Sequence, residues 1–367
     1  MTVASLSLRH LARHYGQVRA VDDLDLEVPD GAFVTLLGPS GCGKSTTLNL
    51  IAGLDRPNAG TILLGDRDVT RTPPNERRMA MVFQSYALYP NMTVFGNIGF
   101  SLKLLRRPAA EITQRVTTVA EMLDIGHLLH RKPAELSGGQ QQRVALGRAL
   151  VKQPLVFLLD EPFSNLDAAL RARMRTEVKH LHLALGTTSV FVTHDQEEAM
   201  TLSDLICVMR DGKIVQTGSH QDIYGKPRNL YVAGFVGKPR MSFLEGSLEH
   251  HADEVTFVAS GIRIDLGPAA ALGLSGSWTN VVLGVRSEDV MVRPDGSTTG
   301  LRTVPATIGL TEPIGSDTFV ELLVGESTVV ARVSPDLPIS LDQPVSAEVR
   351  ASGVHLFDHD SGDRIVA

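Results

Sequence analysis

Only two cysteines, one tryptophan and 5% aromatic residues occur among the 367 residues of this chain. Two thiols do not make a disulfide framework, so a reducing compartment fits and the core must come from aliphatic packing. No run of eighteen apolar residues exists, so nothing reads as a helix that crosses a bilayer. Met1 to Arg9 has no basic segment followed by an apolar one, so no secretion signal is expected. Low-complexity segments and solenoid repeats are also missing. Lysine is absent from residues 241–367, which hold 18 Asp and Glu against 7 Arg, a net −11. With −6 for the whole chain, residues 1–240 carry +5. The basic part suits a polyanionic ligand, and the acidic tail argues against nucleic acid as a partner.

What is present points to two domains, which the length also favours. Residues 3–30 alternate apolar and polar, as in Leu6, Leu8, Leu24, Leu26 and Val28, and read as edge strands of a half-buried sheet. Phe33–Leu37 is a continuous apolar run, the pattern of a central strand. Helix is expected over Ser45–Leu54 and Ala168–Leu185. Further strands are expected at Thr61–Leu64, Met79–Phe83, Leu155–Leu159 and Ser189–Val192. From Phe95 to Ala149 the pattern is mostly helical, with Pro108 and Pro133 as breaks. Arg210-Asp211-Gly212 between two short apolar runs reads as a hairpin turn. Strands alternating with helices argue a parallel α/β core. After Gly234 the helical periods stop and short strands with Gly, Pro and Asp turns take over, an all-β tail plausible as a small barrel. Gly237–Arg240 reads as the linker.

Three short stretches carry chemistry. Gly38-Pro39-Ser40-Gly41-Cys42-Gly43-Lys44-Ser45 follows an apolar strand and opens a helix, the context in which a Gly-rich run is a phosphate loop. Its glycines let backbone N–H groups converge on phosphate oxygens at a helix N-terminus. Lys44 can reach the β- and γ-phosphates, the Ser45 hydroxyl suits Mg²⁺, and Thr46 can donate to a phosphate. Asp160 and Glu161 end a buried strand, where one carboxylate can serve a metal and the other polarise water; taken alone they read equally well as solvated acids. Leu136-Ser137-Gly138-Gly139-Gln140 precedes a helical stretch, so N–H groups from Ser137 to Gly139 would point outward. Taken alone, Ser137 is a helix cap with a flexible Gly turn.

The order of these three stretches resembles that of the ATP-binding cassette (ABC) ATPases, over residues 3 to about 235. The fold implied is an α/β P-loop NTPase cassette at 1–235 with a helical lobe about 85–154. ATP and Mg²⁺ are the implied cofactors, with Asp160 and Ser45 on the metal. The resemblance makes Glu161 the residue that polarises the attacking water. His194, which alone would more often be a packed or capping residue, becomes the switch histidine on the γ-phosphate. Gln84 matches the loop glutamine that contacts Mg²⁺ and water, and Tyr15 the aromatic that stacks on adenine. Ser137, Gly138, Gly139 and Gln140 would close over ATP held by a second copy or a related ATPase, with Asp167 of Ser164–Asp167 a contact across that dimer.

Gln84 to Val94 is similar to a segment of sugar-importer ATPases that receives a helix of the membrane subunit, so Tyr86, Leu88, Tyr89 and Met92 are the expected apolar contacts. The tail resembles the regulatory OB-like (TOBE) domain of those importers at Gly284–Val290, with Ser287 in place of a usual proline, and at Glu312–Asp317, so 236–367 is expected to be such a domain. The maltose, trehalose and glycerol-3-phosphate importers match these motifs best. The implied partners are two membrane-spanning permease subunits and an extracytoplasmic solute-binding protein, and the implied location is peripheral, on the cytoplasmic face of the inner membrane. A polyamine, iron or molybdate importer is the alternative; a soluble ABC ATPase fits less well. Cys42, at a helix N-terminus, is expected to be a thiolate whose alkylation blocks nucleotide binding; Cys207 is expected to be inert core.

Overall fold

The structure, a computed structural model, describes residues 4–251, 253–259, 262–269, 274, 278, 280–296 and 302–365. Two compact units divide between His220 and Gln221. In the first, the alternating N-terminal stretch forms β1 (Leu6–Tyr15) and β2 (Val18–Val28), paired antiparallel. The buried run β3 (Phe33–Leu37) feeds the Gly-rich loop into α1 (Lys44–Ala52). β4 (Ala59–Leu64) and the two-residue β5 (Arg67–Asp68) follow. Of the two strands expected at a sheet edge, β2 is one and β1 is not: they belong to a separate four-stranded sheet in the order β2-β1-β4-β5, in which β1 is interior.

β6 (Met79–Val82) leads into three helices, α2 (Val94–Leu104), α3 (Ala109–Met122) and α4 (Gly138–Leu150). Pro108 caps α3, and Pro133 opens a 3₁₀ turn before α4, so both prolines act as the breaks expected of a residue without an N–H. β7 (Val156–Asp160), α5 (Ala168–Leu185), β8 (Thr188–Thr193), α6 (Gln196–Leu202), β9 (Leu205–Arg210) and β10 (Lys213–Gly218) complete the unit. The Asp211-Gly212 turn between β9 and β10 has both residues at positive φ, 49° and 80°, the primed turn that matches strand twist. The six-stranded central sheet runs β10-β9-β3-β8-β7-β6, parallel throughout except for β10.

Residues of the middle strands divide by parity, as strand pleating requires. Phe33, Phe157, Leu159 and Phe191 face a core shared with α2, α3 and α4, while Val34, Leu36, Leu158, Val190 and Val192 face a core shared with α1 and the first sheet. Each such buried side chain contributes about 1.5–3 kcal/mol. Both faces are covered, which is why these strands are continuously apolar.

Arg77 fixes the far end of α1. It is 2% exposed, and its guanidinium donates to the carbonyls of Leu50 (2.7 Å) and Ile51 (2.8 Å) at the helix C-terminus, and to Thr72 (2.8 Å) and Thr70 (3.0 Å). A buried cation on the last carbonyls satisfies orphan acceptors and complements the negative end of the helix.

Among the described residues of the second unit, α7 (His220–Gly225) and α8 (Leu230–Phe235) precede ten strands. These are β11 (Ser242–His251), β12 (Glu254–Ala259), β13 (Ile262–Pro268), β14 (Val281–Val285), β15 (Val290–Arg293), β16 (Thr303–Ile314), β17 (Asp317–Val324), β18 (Ser327–Val333), β19 (Pro344–Val349) and β20 (Val354–Asp358). They make two antiparallel five-stranded sheets, β13-β12-β11-β14-β20 and β15-β19-β16-β17-β18, which share a largely aliphatic core, while Ala233, Met241, Val282 and Phe357 form a smaller cluster under α8. Glu312–Asp317 forms the tip of the β16–β17 hairpin, with Gly315-Ser316 as its two-residue loop.

The unit begins before the expected boundary at 235, and Arg286 shows why. It is buried, stacks 3.6 Å from the Tyr224 ring centroid, and donates to the Tyr224 carbonyl (2.7 Å) and the Val236 carbonyl (2.8 Å). Those bonds, with Leu230 N–H on the Gly362 carbonyl (2.8 Å), tie the stretch 221–236 to the strands.

Substituting Arg77→Met is expected to destabilise the chain by about 2–4 kcal/mol, because several buried carbonyls lose a charged donor. Urea unfolding, set against the exposed Arg71→Met control, measures it. Equal stability of the two variants would contradict the capping role.

Candidate functional site

Five strands point the same way, so the loops after β3, β6, β7, β8 and β9 leave one edge of the sheet. The Gly-rich loop sits there in a lattice of backbone contacts. Gly43 caps α1 at φ 104°, and a Cβ on it would lie 2.2 Å from the Ala20 carbonyl oxygen, so no other residue fits without displacing β2. Gly212 N–H donates to the Cys42 carbonyl (3.1 Å), and Asp22 N–H donates to the Gly212 carbonyl (3.0 Å), which clamps the loop between β2 and the β9–β10 turn.

The loop lines an open cleft of about 640 Å³. Ser40, Gly41, Gly43, Lys44, Ser45, Thr46 and Glu161 line it, whereas Gly38, Pro39, Cys42, Gln84, Asp160 and His194 do not. Lys44 is 4% exposed and donates to the carbonyls of Gly38 (2.8 Å) and Pro39 (2.9 Å). Its third partner is the Cys42 sulfur (3.9 Å), so a buried ammonium held by neutral acceptors favours an anion beside it. The Ser45 hydroxyl donates to Asp160 Oδ1 at 3.0 Å. Burial pushes the Asp160 carboxyl up, opposed by Ser45 and assisted by neighbouring Glu161. A hydroxyl and a carboxylate oxygen this close are a hard-cation donor pair.

Glu161 adopts φ 41°, which is unfavourable for a side chain with a Cβ and costs on the order of 1–3 kcal/mol. Its N–H donates to the Val192 carbonyl (3.0 Å), and its Oε2 lies 3.1 Å from His194 Nδ1. Glu161 is largely shielded while His194 is 55% exposed, so the ring lies over the carboxylate from the solvent side. Gln84 stands exposed just past β6, and its carbonyl accepts from Asn165 Nδ2 (2.9 Å). Asp167 is the N-cap of α5, its Oδ1 accepting from Leu170 N–H (2.9 Å).

Ser137 and Gln140 form a capping box at α4: Gln140 Oε1 accepts from the Ser137 N–H (2.9 Å), and Ser137 Oγ accepts from the Gln140 N–H (3.4 Å). The expectation of three outward N–H groups is therefore corrected: that of Ser137 is taken by Gln140, and those of Gly138 and Gly139 are left at the first turn.

Two further expectations change. Tyr86 is buried core and Leu88 packs against that core; only Tyr89 of the four lines the cleft of about 320 Å³ between the sheet and the helical lobe, beside Phe83, Phe100, Leu104 and Arg148. Met92 lines a separate hollow with Phe100 and Lys103. Arg148 shapes this region by donating to the carbonyls of Ala87 (2.6 Å) and Tyr86 (3.0 Å), residues at φ 46° and 60°. Cys42 is the other change. Its thiol is 4% exposed, and burial pushes its pKa up despite Lys44 and the backbone donors, so it is not the expected thiolate. Cys207 is buried, with its thiol pushed up to about 12, in line with inert core.

Tyr15 does not line the cleft. It is 48% exposed, with the Arg13 guanidinium 4.4 Å from its ring centroid and its hydroxyl on Asp55. Instead Gln17, Val18, Arg19 and Ala20 line it with Asp211 and Gly212. Sequence reasoning missed these residues: they carry no motif, and Ala20 reaches the loop through backbone packing against Gly43 and Gly212.

Comparison with known proteins follows the same lines. Residues 21–164 match the ABC transporter family model. The chain is 46% identical to the sulfoquinovosyl glycerol transport ATP-binding protein of Agrobacterium fabrum, covering 97% of this chain and 98% of that one. It is 46% identical to the trehalose/maltose import ATP-binding protein of Thermococcus litoralis (99% and 100%) and 42% identical to the sn-glycerol-3-phosphate import ATP-binding protein of Ralstonia nicotianae (100% and 100%). Among solved structures, a nucleotide-free ATP-binding cassette from an ABC transporter matches at TM-score 0.54 and 26% identity, over 59% of this chain and 92% of that one. A dimeric, post-hydrolysis cassette bound to ADP and Pi matches at 0.53 and 30%, over 59% and 98%.

Since the Cys42 and Cys207 thiols are buried and their pKa values raised, thiolate appears only above the ordinary thiol range. Iodoacetamide at about pH 7 is expected to label the native chain far more slowly than the urea-unfolded chain. Rapid stoichiometric labelling of the native chain would contradict this.

Proposed function

This chain belongs to the ATP-binding subunits of ABC transporters, and we propose that it hydrolyses ATP to drive import of a sugar or sugar derivative. One observation carries the ATPase reading: the phosphate loop, the Ser45–Asp160 pair and the Glu161–His194 pair meet at one sheet edge, where Lys44, Ser45 and Glu161 line a cleft large enough for a nucleotide and Asp160 and His194 stand behind them. The sugar class is supported by full-length relatives named for sulfoquinovosyl glycerol, trehalose/maltose and glycerol-3-phosphate.

In this reading Ser40, Gly41 and Gly43 offer backbone N–H groups to the phosphates and Lys44 supplies positive charge beside them. Ser45 and Asp160 would hold Mg²⁺, with Gln84 the third candidate; the ion supplies charge neutralisation at the phosphate oxygens. Glu161 accepts a hydrogen bond from the attacking water. His194 braces that carboxylate and reaches towards the γ-phosphate. Transfer to water then needs no covalent intermediate, only positioning and electrostatics. Tyr15, exposed at the end of β1, is the candidate for adenine. Ser137, Gly138, Gly139, Gln140 and Asp167 act on the ATP of a second copy or a related ATPase.

The cleft beside Tyr89 is the candidate seat for a helix of one permease subunit, the cleft of a second ATPase taking the other; in this reading the chain sits peripherally on the cytoplasmic membrane face, and an extracytoplasmic solute-binding protein selects the cargo. No helix among the described residues is long and apolar enough to cross a membrane. The second unit is read as the OB-like regulatory domain, a reading its two antiparallel sheets around one core support.

Replacing the base, Glu161→Gln, is expected to leave ATP affinity intact and reduce turnover by about 10²–10⁴. Equilibrium binding and steady-state hydrolysis by the purified chain test both halves. Undiminished turnover, or loss of binding, contradicts the assignment.

A further inference from the structure

Arg171 lies one turn into α5, its N–H donating to the Asp167 carbonyl (2.9 Å). Its guanidinium faces two loops at once. One terminal nitrogen donates to the Leu166 carbonyl (3.2 Å), inside the Ser164–Asp167 turn. The other donates to Asp195 Oδ2 (3.4 Å), the residue after His194. Its Nε lies 3.9 Å from Glu198 Oε1 and makes no hydrogen bond of its own.

Glu198 is 3% exposed, on α6. Its other oxygen accepts from the Thr193 hydroxyl, and Thr193 Oγ1 accepts from the Asp195 N–H (3.0 Å). Thr193 and Asp195 flank His194 on both sides. Burial pushes the Glu198 carboxyl up, with Asp195 adding to this and Thr193, Arg171 and Arg175 opposing it.

A buried carboxylate and a guanidinium are an expensive way to hold two loops together. Well-packed apolar residues of the same volume usually do as well or better for stability. Charged pairs of fixed geometry are better suited to setting one arrangement over others, because a fork of donors fits only one set of acceptors. Here the arrangement set is that of the turn bearing His194 relative to the turn bearing Asp167. Neither Arg171 nor Glu198 lines the nucleotide cleft.

We propose that Arg171 and Glu198 are positioning residues that lock the Ser164–Asp167 turn and the His194 turn into one body, so that His194 stays on Glu161 only while the lock is closed. The inference rests on the proposed ATPase role of Glu161 and His194. In that role a displacement of Asp167 by a partner copy moves His194 with it through Arg171, rather than through the sheet. One guanidinium then joins a contact site for the second subunit to the group beside the attacking water.

The test uses the purified full chain with ¹³C-labelled histidine. The His194 ring signal is identified by its loss in His194→Gln, and ring order is read from carbon relaxation. In Arg171→Met, ring order is expected to fall and kcat to drop by about 10-fold to 100-fold, the size expected for a misplaced catalytic group, with ATP affinity unchanged. Arg171→Lys should recover only part of both, since an ammonium supplies charge without the fork. If Arg171→Met does not fold because Glu198 is left uncompensated, the double variant Arg171→Met/Glu198→Gln removes both charges and should show the same mobile ring. An unchanged His194 ring order in the folded variant overturns the proposal. So does a loss of ATP affinity in step with kcat, which marks a general structural role. The ring measurement needs no hydrolysis, so its failure is separable from failure of the ATPase reading, which Glu161→Gln tests.

Discussion

Parallel strand direction is the constraint on which the rest of this molecule depends. Because β3, β6, β7, β8 and β9 all run the same way, the segments that follow them emerge on one edge of one sheet. The phosphate loop, Gln84, Asp160 with Glu161, His194 and the Asp211-Gly212 turn come from positions spread over much of the first unit, yet each is the first thing after a buried strand. No side-chain contact has to gather them. Reversing a single strand would remove its loop from the site.

Burial then sets the chemistry of what is gathered. The cleft is built over the ends of buried strands, so charged groups at its base are partly desolvated. Lys44 meets this with two carbonyl oxygens, and Asp160 meets it with the Ser45 hydroxyl. Each arrangement leaves charge only partly compensated, which suits a ligand that brings phosphate and a divalent ion together. Cys42 experiences the same burial without a charge to compensate, and stays a thiol. The strained φ of Glu161 belongs to this pattern, since the surrounding strand bonds hold a conformation that the residue alone would leave.

Much of this was legible in the sequence where the signal is local. The phosphate loop announces itself by glycine spacing between an apolar run and a helix; the hairpin at Asp211-Gly212 by its turn residues; α5 by its period, which runs over the expected Ala168–Leu185. Signals that depend on distant partners were not legible. Gln17 to Ala20 reach the cleft only because β2 passes under the phosphate loop. Tyr86 looked like a surface contact because its resemblance to a docking segment gives no sign of which way the chain turns, and it lies buried where Tyr86 and Ala87 both adopt positive φ. The second unit starts at Gln221 because Arg286, far along the chain, holds Tyr224 and Val236. The capping box on Ser137 was readable from its Ser-x-x-Gln spacing, and it alters which N–H groups remain for an anion.

The most direct test of the central claim is ATP hydrolysis by the chain assembled with its co-purified membrane subunits, measured across a panel of sugars with the cognate solute-binding protein. The account expects turnover to rise with one sugar, and only when the binding protein is present. Turnover that is constant across the panel, with no membrane subunit recovered, would contradict it.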